Sequence, residues 1–131
     1  MKPLSILVVD DEPDIRLLVQ QWLEAAGHAV STVANGSLAS VAMQQGRFDL
    51  VITDVLMPDG DGVDLITEIG KTHPTVRVVA ISGGGRYTAG SDYLELAKAI
   101  GAHAAVLKPF TFGQLQQGID AALAAPAARE W

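Results

Sequence analysis

Cysteine is absent from this chain, which excludes disulfides, iron–sulfur clusters and thiolate zinc sites. Basic residues are few and form no run: 9 bases face 15 acids, for a formal net charge of −6. A surface of that sign does not attract phosphate backbones, so direct nucleic-acid binding is not expected. Long apolar stretches are missing too. No segment reaches the roughly 18 residues of a membrane helix, and the apolar start Leu4–Val9 is interrupted by Asp10 and Asp11 before a signal-peptide core can form. With neither signal, the expected location is the cytoplasm. What is present suffices for one domain: 131 residues, 49% of them apolar. The expected domain covers residues 1–124, with 125–131 a short tail begun by the helix-ending Pro126.

Five short aliphatic runs punctuate the chain, at Leu4–Val9, Ala29–Ala34, Leu50–Thr53, Val76–Ile81 and Ala104–Leu107. They are largely unalternating and often β-branched, as strands covered on both faces are. Between them, apolar residues recur at three- and four-residue steps: Ile15, Leu18, Val19 and Trp22, then Leu38, Val41 and Ala42, then Leu65, Ile66 and Ile69. Leu94, Ala97 and Ile100 suggest a fourth helix, and Phe112, Leu115, Ile119, Ala122 and Leu123 a fifth. Pro13 suits a first helical position, Gly27 a position just past a helix end, and Asp61 a helix cap. The order is (βα)₅. Strands alternating with helices imply right-handed crossovers and a mostly parallel sheet, since parallel neighbours need connections of a dozen or more residues.

In such a sheet, chemistry collects beyond the carboxyl ends of the strands. The first run ends in Asp10-Asp11, the third in Asp54, the fourth in Ser82 and the fifth in Lys108. Only the second ends without a reactive group, at Ala34-Asn35, as expected of an edge strand in the order 2-1-3-4-5. Three carboxylates in one crevice repel by about 4 kcal/mol per pair at ~4 Å and an effective dielectric of ~20, so a cation is required. Oxygen-only ligands completed by water suit Mg²⁺. Mg²⁺, the Lys108 ammonium and the Ser82 hydroxyl are the parts that hold a phosphoryl group in transfer. Asp54 is then the nucleophile, forming an acyl phosphate.

With those residues placed, the motifs "VVDDEP", "DLVITDVLMPDGDG", "VAIS" and "GAHAAVLKPF" give the chain its likeness. It resembles the receiver domain of two-component response regulators, a flavodoxin-like (βα)₅ fold, across residues 4 to 124. The resemblance implies Asp54 as phosphoacceptor, Asp10, Asp11 and Asp54 as Mg²⁺ carboxylates, and Leu56 as donor of a backbone carbonyl to the ion. It implies Ser82 as switch hydroxyl, Lys108 as phosphate-pairing lysine and a cis Lys108-Pro109 bond. It also implies a sensor histidine kinase or histidine phosphotransfer protein as partner. The phosphoryl switch assists its own phosphorylation and dephosphorylation and is not otherwise an enzyme. Two departures stand out. Ala105 occupies a position where the family often has Tyr or Phe, and the loop "GGGRYTAGSD" after Ser82 is long and glycine-rich. Closure of that loop, with Arg86 or Tyr93 in the aromatic's place, is the expectation drawn from it.

Only a short tail follows the fifth helix in this sequence, so a stand-alone receiver is expected. Its downstream protein target would meet the face of the fourth helix, fifth strand and fifth helix, and a homodimer is possible. A Mg²⁺-dependent phosphohydrolase with an Asp nucleophile needs similar residues. It usually carries a DxD motif and often a cap domain, where this chain has adjacent acids and little spare length. A flavin-binding module lacks its hydroxyl-rich phosphate loop after the first strand. The "DGDG" at Asp59 to Gly62 fits a turn and helix cap better than a calcium loop. His28, His73 and His103 fit ordinary surface or loop residues, Trp22 a place on the helical core stripe, and Trp131 a frayed tail.

Overall fold

The computed structural model describes residues 2–57, 61–83, 95 and 98–125. Its strands are β1 (Ser5–Val9), β2 (Ala29–Val33), β3 (Leu50–Asp54), β4 (Arg77–Gly83) and β5 (Ala104–Lys108). They form one parallel sheet in the order β2-β1-β3-β4-β5. Helices α1 (Pro13–Ala25), α2 (Gly36–Gln45), α3 (Asp61–Thr72) and a C-terminal helix (Phe112–Ala124) connect and cover it. Residues 98–100 are helical, within the expected fourth helix. Most of that segment lies outside the described residues, as do the glycine-rich loop with Arg86 and Tyr93, Asp59, Pro126 and Trp131.

The sheet divides the core in two. On one side Leu7, Val9, Val51 and Val78 pack with Ala39 and Met43 of α2 and with Leu65, Ile66 and Ile69 of α3. On the other, Ile6, Val8, Ile52, Val79 and Ile81 meet Val19 and Leu23 of α1 and Leu115 and Ile119 of the C-terminal helix. Alternation along each strand sends successive side chains to opposite cores. Because both faces are covered, the inner strands are aliphatic through their middles, at Ile6–Val9, Leu50–Ile52 and Val78–Ile81. Each such buried side chain contributes roughly 1.5–3 kcal/mol. Replacing Leu23, fully buried, with Ala would remove about 2–5 kcal/mol. β2 differs from the other runs because its residues are only partly covered, as its edge position requires.

Local chemistry sets the boundaries. Pro13 opens α1, where its missing N–H is not needed, and Gly27 follows the helix end with φ +99°, a conformation that side-chain-bearing residues resist. Asn35 caps α2 by accepting the Leu38 amide at 2.9 Å. Thr111 and Gln114 form a reciprocal capping box on the C-terminal helix. α3 begins on Asp61 itself rather than after it, so Asp61 is the first helical residue and not the cap expected.

Two of the three histidines lie in loops, as expected, and there serve the backbone. His28, buried before β2, accepts the Leu4 amide on Nδ1 at 3.0 Å. His103, before β5, accepts the Val78 amide in the same way at 3.0 Å. In each case a ring nitrogen replaces a main-chain carbonyl where the neighbouring inner strand begins, so the backbone N–H is satisfied. Trp22 packs as expected, with its ring 6.2 Å from Phe110 and 5.7 Å from Phe112.

Candidate functional site

β1 and β3 are neighbours, and both deliver an acid at their carboxyl ends. Asp10 follows β1 directly and is held by its own backbone: its amide donates to the Val33 carbonyl at 3.2 Å, and its Oδ1 accepts the Glu12 amide at 2.9 Å. Arg16 Nη1 donates to the Asp10 carbonyl at 2.7 Å, tying the first turns of α1 to the same point. Asp54 closes β3, and its Oδ1 accepts the Leu56 amide at 3.0 Å. The edge strand β5 ends in Lys108, whose stem reaches inward across the sheet end. Its Nζ lies 2.9 Å from Asp10 Oδ2, 3.1 Å from Asp54 Oδ2 and 2.8 Å from Glu12 Oε1. The Lys108-Pro109 bond is cis, as expected.

The site is deep. Asp10 is fully buried, Asp54 is 3% exposed and Ser82 is fully buried. Carboxylate oxygens of Asp10, Asp11, Glu12 and Asp54 all lie within 4.8 Å of one another. Three of these acids, Asp10, Glu12 and Asp54, pair with the one ammonium of Lys108, and Asp11 stands beside them. Burial pushes the Asp54 carboxyl up to about 6; Lys108 opposes that shift and the Asp10 charge adds to it. Burial likewise raises Asp10, against the pull of the Glu12 amide and Lys108. Burial alone would lower the Lys108 ammonium, but hydrogen bonds to Glu12 and Asp10 and the charges of Asp54 and Asp10 outweigh it and hold it above the ordinary lysine range.

Those shifts describe a pocket short of positive charge. Asp10 Oδ2 faces the Lys108 ammonium at 2.9 Å and has no further partner among the described residues. Its free lone pair and the all-oxygen donor set suit a small hard cation. Asp10, Asp11, Asp54 and Glu12 fit that chemistry. Ser82, near the end of β4 beside β5, has a buried Oγ with no hydrogen-bond partner among the described residues. A buried hydroxyl without a partner is costly unless a ligand completes it.

The structure thus gathers Asp10, Asp11, Asp54 and Lys108 as the sequence led one to expect, with Leu56 and Ser82 on the adjoining segments. Glu12 was missed. Its adjacency to Asp10-Asp11 was the available signal, but an exposed acid at a helix start is equally suited to the helix dipole.

The chain is similar to known proteins in sequence and in fold. The model of the response regulator receiver domain matches residues 6–120, and this chain belongs to that family. It is 37% identical over 125 residues to the DNA-binding transcriptional regulator NtrC of Azospirillum brasilense, a match covering 94% of this chain and 25% of that protein. The crystal structure of NtrX from Brucella abortus superposes with a TM-score of 0.85 at 35% identity, covering 93% of this chain and 27% of that one. The response regulator TrrA of Thermotoga maritima, solved in complex with Mg²⁺-BeF, gives a TM-score of 0.75 at 33% identity, covering 92% and 97%. This chain spans about a quarter of the length of the curated relatives NtrC. No helix among the described residues is long and apolar enough to cross a membrane.

Proposed function

We propose that residues 1–124 act as a phosphoryl-accepting switch. Asp54 takes the phosphoryl group from a phosphohistidine of a sensor kinase or phosphotransfer protein. One carboxylate oxygen bonds to phosphorus as the phosphorus–nitrogen bond breaks, and the imidazole leaves with the electron pair. The observation that carries this reading is the placement of a buried Asp54 oxygen 3.1 Å from the Lys108 ammonium, among three further acids. Lys108 pairs with the incoming phosphoryl oxygens, and the Ser82 hydroxyl gains in them a partner that it lacks among the described residues. Asp10, Asp11, Asp54 and the Leu56 carbonyl would hold Mg²⁺, with Glu12 beside them; the ion supplies charge neutralisation at the phosphoryl oxygens. The Mg²⁺-BeF complex of TrrA supports that choice of cation. Membership of the receiver family disfavours a phosphohydrolase.

Output through the side of β5 and the C-terminal helix fits an open groove of about 380 Å³ there, lined by Lys98, Ala105, Leu107, Gln114 and Gln117. Ala105 has no ring to fill it, and Leu107 is 44% exposed. The role is a cytoplasmic one, as a histidine kinase's phosphodonor domain would require. Incubation with Mg²⁺ and acetyl phosphate tests the reading: a stoichiometric, hydroxylamine-labile adduct should form and be lost in Asp54→Asn. Continuous phosphate-ester turnover without an adduct would refute it.

A further inference from the structure

An ammonium group has three protons to donate, and the Lys108 ammonium has three carboxylates around it. Its Nζ lies 2.8 Å from Glu12 Oε1, 2.9 Å from Asp10 Oδ2 and 3.1 Å from Asp54 Oδ2. An incoming phosphoryl oxygen therefore meets a lysine whose donors are all engaged. One carboxylate has to withdraw before Lys108 can pair with that oxygen.

The three acceptors are not equally held. Asp10 and Asp54 are short, buried side chains, each fixed through Oδ1 by a backbone amide, that of Glu12 at 2.9 Å and that of Leu56 at 3.0 Å. The Glu12 side chain is longer and 57% exposed, and among the described residues its carboxylate hydrogen-bonds only to Lys108. Glu12 stands at the N-cap position of α1, yet its side chain makes no capping bond. A carboxylate suited to the first amides of the helix is turned instead across the end of the sheet. Water and those amides can receive it once it lets go. Withdrawal of Glu12 thus costs an exposed ion pair, whereas withdrawal of Asp10 or Asp54 breaks a backbone hydrogen bond in a buried site.

We propose that Glu12 is a positioning residue that occupies one Lys108 donor in the resting protein and yields it to the phosphoryl group. The inference rests on the phosphoryl-transfer reading above. Glu12 acts through Lys108: it holds the ammonium beside Asp54 and competes with the arriving anion for it. It thereby sets how much phosphoryl donor is needed to fill the site. Neutralising Glu12 loosens that hold and favours capture.

The test titrates the full chain with beryllium fluoride, a mimic of the phosphoryl group, at Mg²⁺ saturating for each variant. Amide shifts are followed by NMR at about 0.15 M salt, where exposed charges beyond roughly 8 Å are screened. Glu12→Gln keeps the side chain's shape and removes the competing charge. Its Kd for beryllium fluoride should fall about two- to fivefold, the range that an exposed ion pair is worth. Asp14→Asn removes an equal charge from the first turn of α1, at a residue that makes no ion pair with Lys108. It separates contact from attraction through space, and should move the Kd by no more than about 1.5-fold. With acetyl phosphate, Glu12→Gln should lower the half-saturating concentration by a factor similar to the fall in Kd and leave the limiting rate of adduct formation near that of the wild type, a split that general loss of structure does not produce. Unchanged or weaker beryllium fluoride binding by Glu12→Gln, an equal shift in Asp14→Asn, or an effect confined to the limiting rate would overturn the inference. Absence of any adduct on the wild type would overturn the phosphoryl-transfer reading itself, and the inference with it.

Discussion

Replacing Asp54 with Asn should stabilise this protein while removing the proposed phosphoacceptor. Asp54 has an ordinary carboxyl value of 3.8 when the chain is unfolded and about 6 when folded, with burial as the leading cause. The folded state therefore favours the protonated form. Stability contributed by this group is fully present below 3.8 and is lost as the pH rises through 6. At pH 7 the penalty for ionising in the fold is about 3 kcal/mol, and at pH 5 about 1.5 kcal/mol. Asn removes that penalty at both pH values. It has one acceptor oxygen where Asp serves both the Leu56 amide and Lys108, which takes back about 1 kcal/mol. The expected net gain is about 2 kcal/mol at pH 7 and about 0.5 kcal/mol at pH 5. Urea unfolding in the presence of a chelator measures it, and at a slope of about 1.5 kcal/mol/M the midpoint should rise by roughly 1.3 M at pH 7. No gain at pH 7, or the same gain at both pH values, would refute the claim that buried charge at Asp54 strains the fold.

Other perturbations act on the same end of the sheet. Gly62→Ala places a Cβ against the carbonyl oxygens of Asp54 and Val55 and 2.6 Å from the Val55 Cα; the neighbours are backbone and cannot swing aside, so a loss of about 3 kcal/mol or more, visible in a thermal melt, is expected. Lys108→Met leaves Asp10, Glu12 and Asp54 without their ammonium, and urea titration should show a loss of about 3 kcal/mol at pH 7. That loss should shrink on acidification, because carboxyls held above their unfolded values favour the fold most when protonated. Mg²⁺ at about 100 times its Kd should stabilise the wild type by about 2.7 kcal/mol and raise its Tm by roughly 10 °C, an effect that Asp10→Asn should largely remove in scanning calorimetry.

The fold was legible because a parallel sheet covered on both faces needs strands of largely aliphatic character, and all five runs begin and end within two residues of the observed strands. The second run was read as similarly covered, but its edge position exposes it. Asp10, Asp11, Asp54 and Lys108 were legible as a group because the chain places them at successive strand ends, which the topology brings together. Glu12 was not, since its partner Lys108 stands 96 residues away and only the rotamer of a long side chain joins them. The caps at Asn35 and Thr111 went unread for a related reason. Their residue types are common in turns, and what distinguishes a cap is a hydrogen bond that composition does not display. His28 lies in a loop as expected, but its burial and the service of its ring nitrogen to a main-chain amide were not legible, because they depend on a residue 24 positions away.

That last arrangement fixes something about both imidazoles. A backbone amide can only donate, so the nitrogen it reaches on His28 and on His103 must be bare, and the ring proton of the neutral side chain belongs on Nε2. Each outer strand of the sheet is therefore latched by a histidine of defined tautomer. Two-bond nitrogen–proton spectra of the rings would show whether either latch has let go, at the end of the molecule farthest from the acidic cluster.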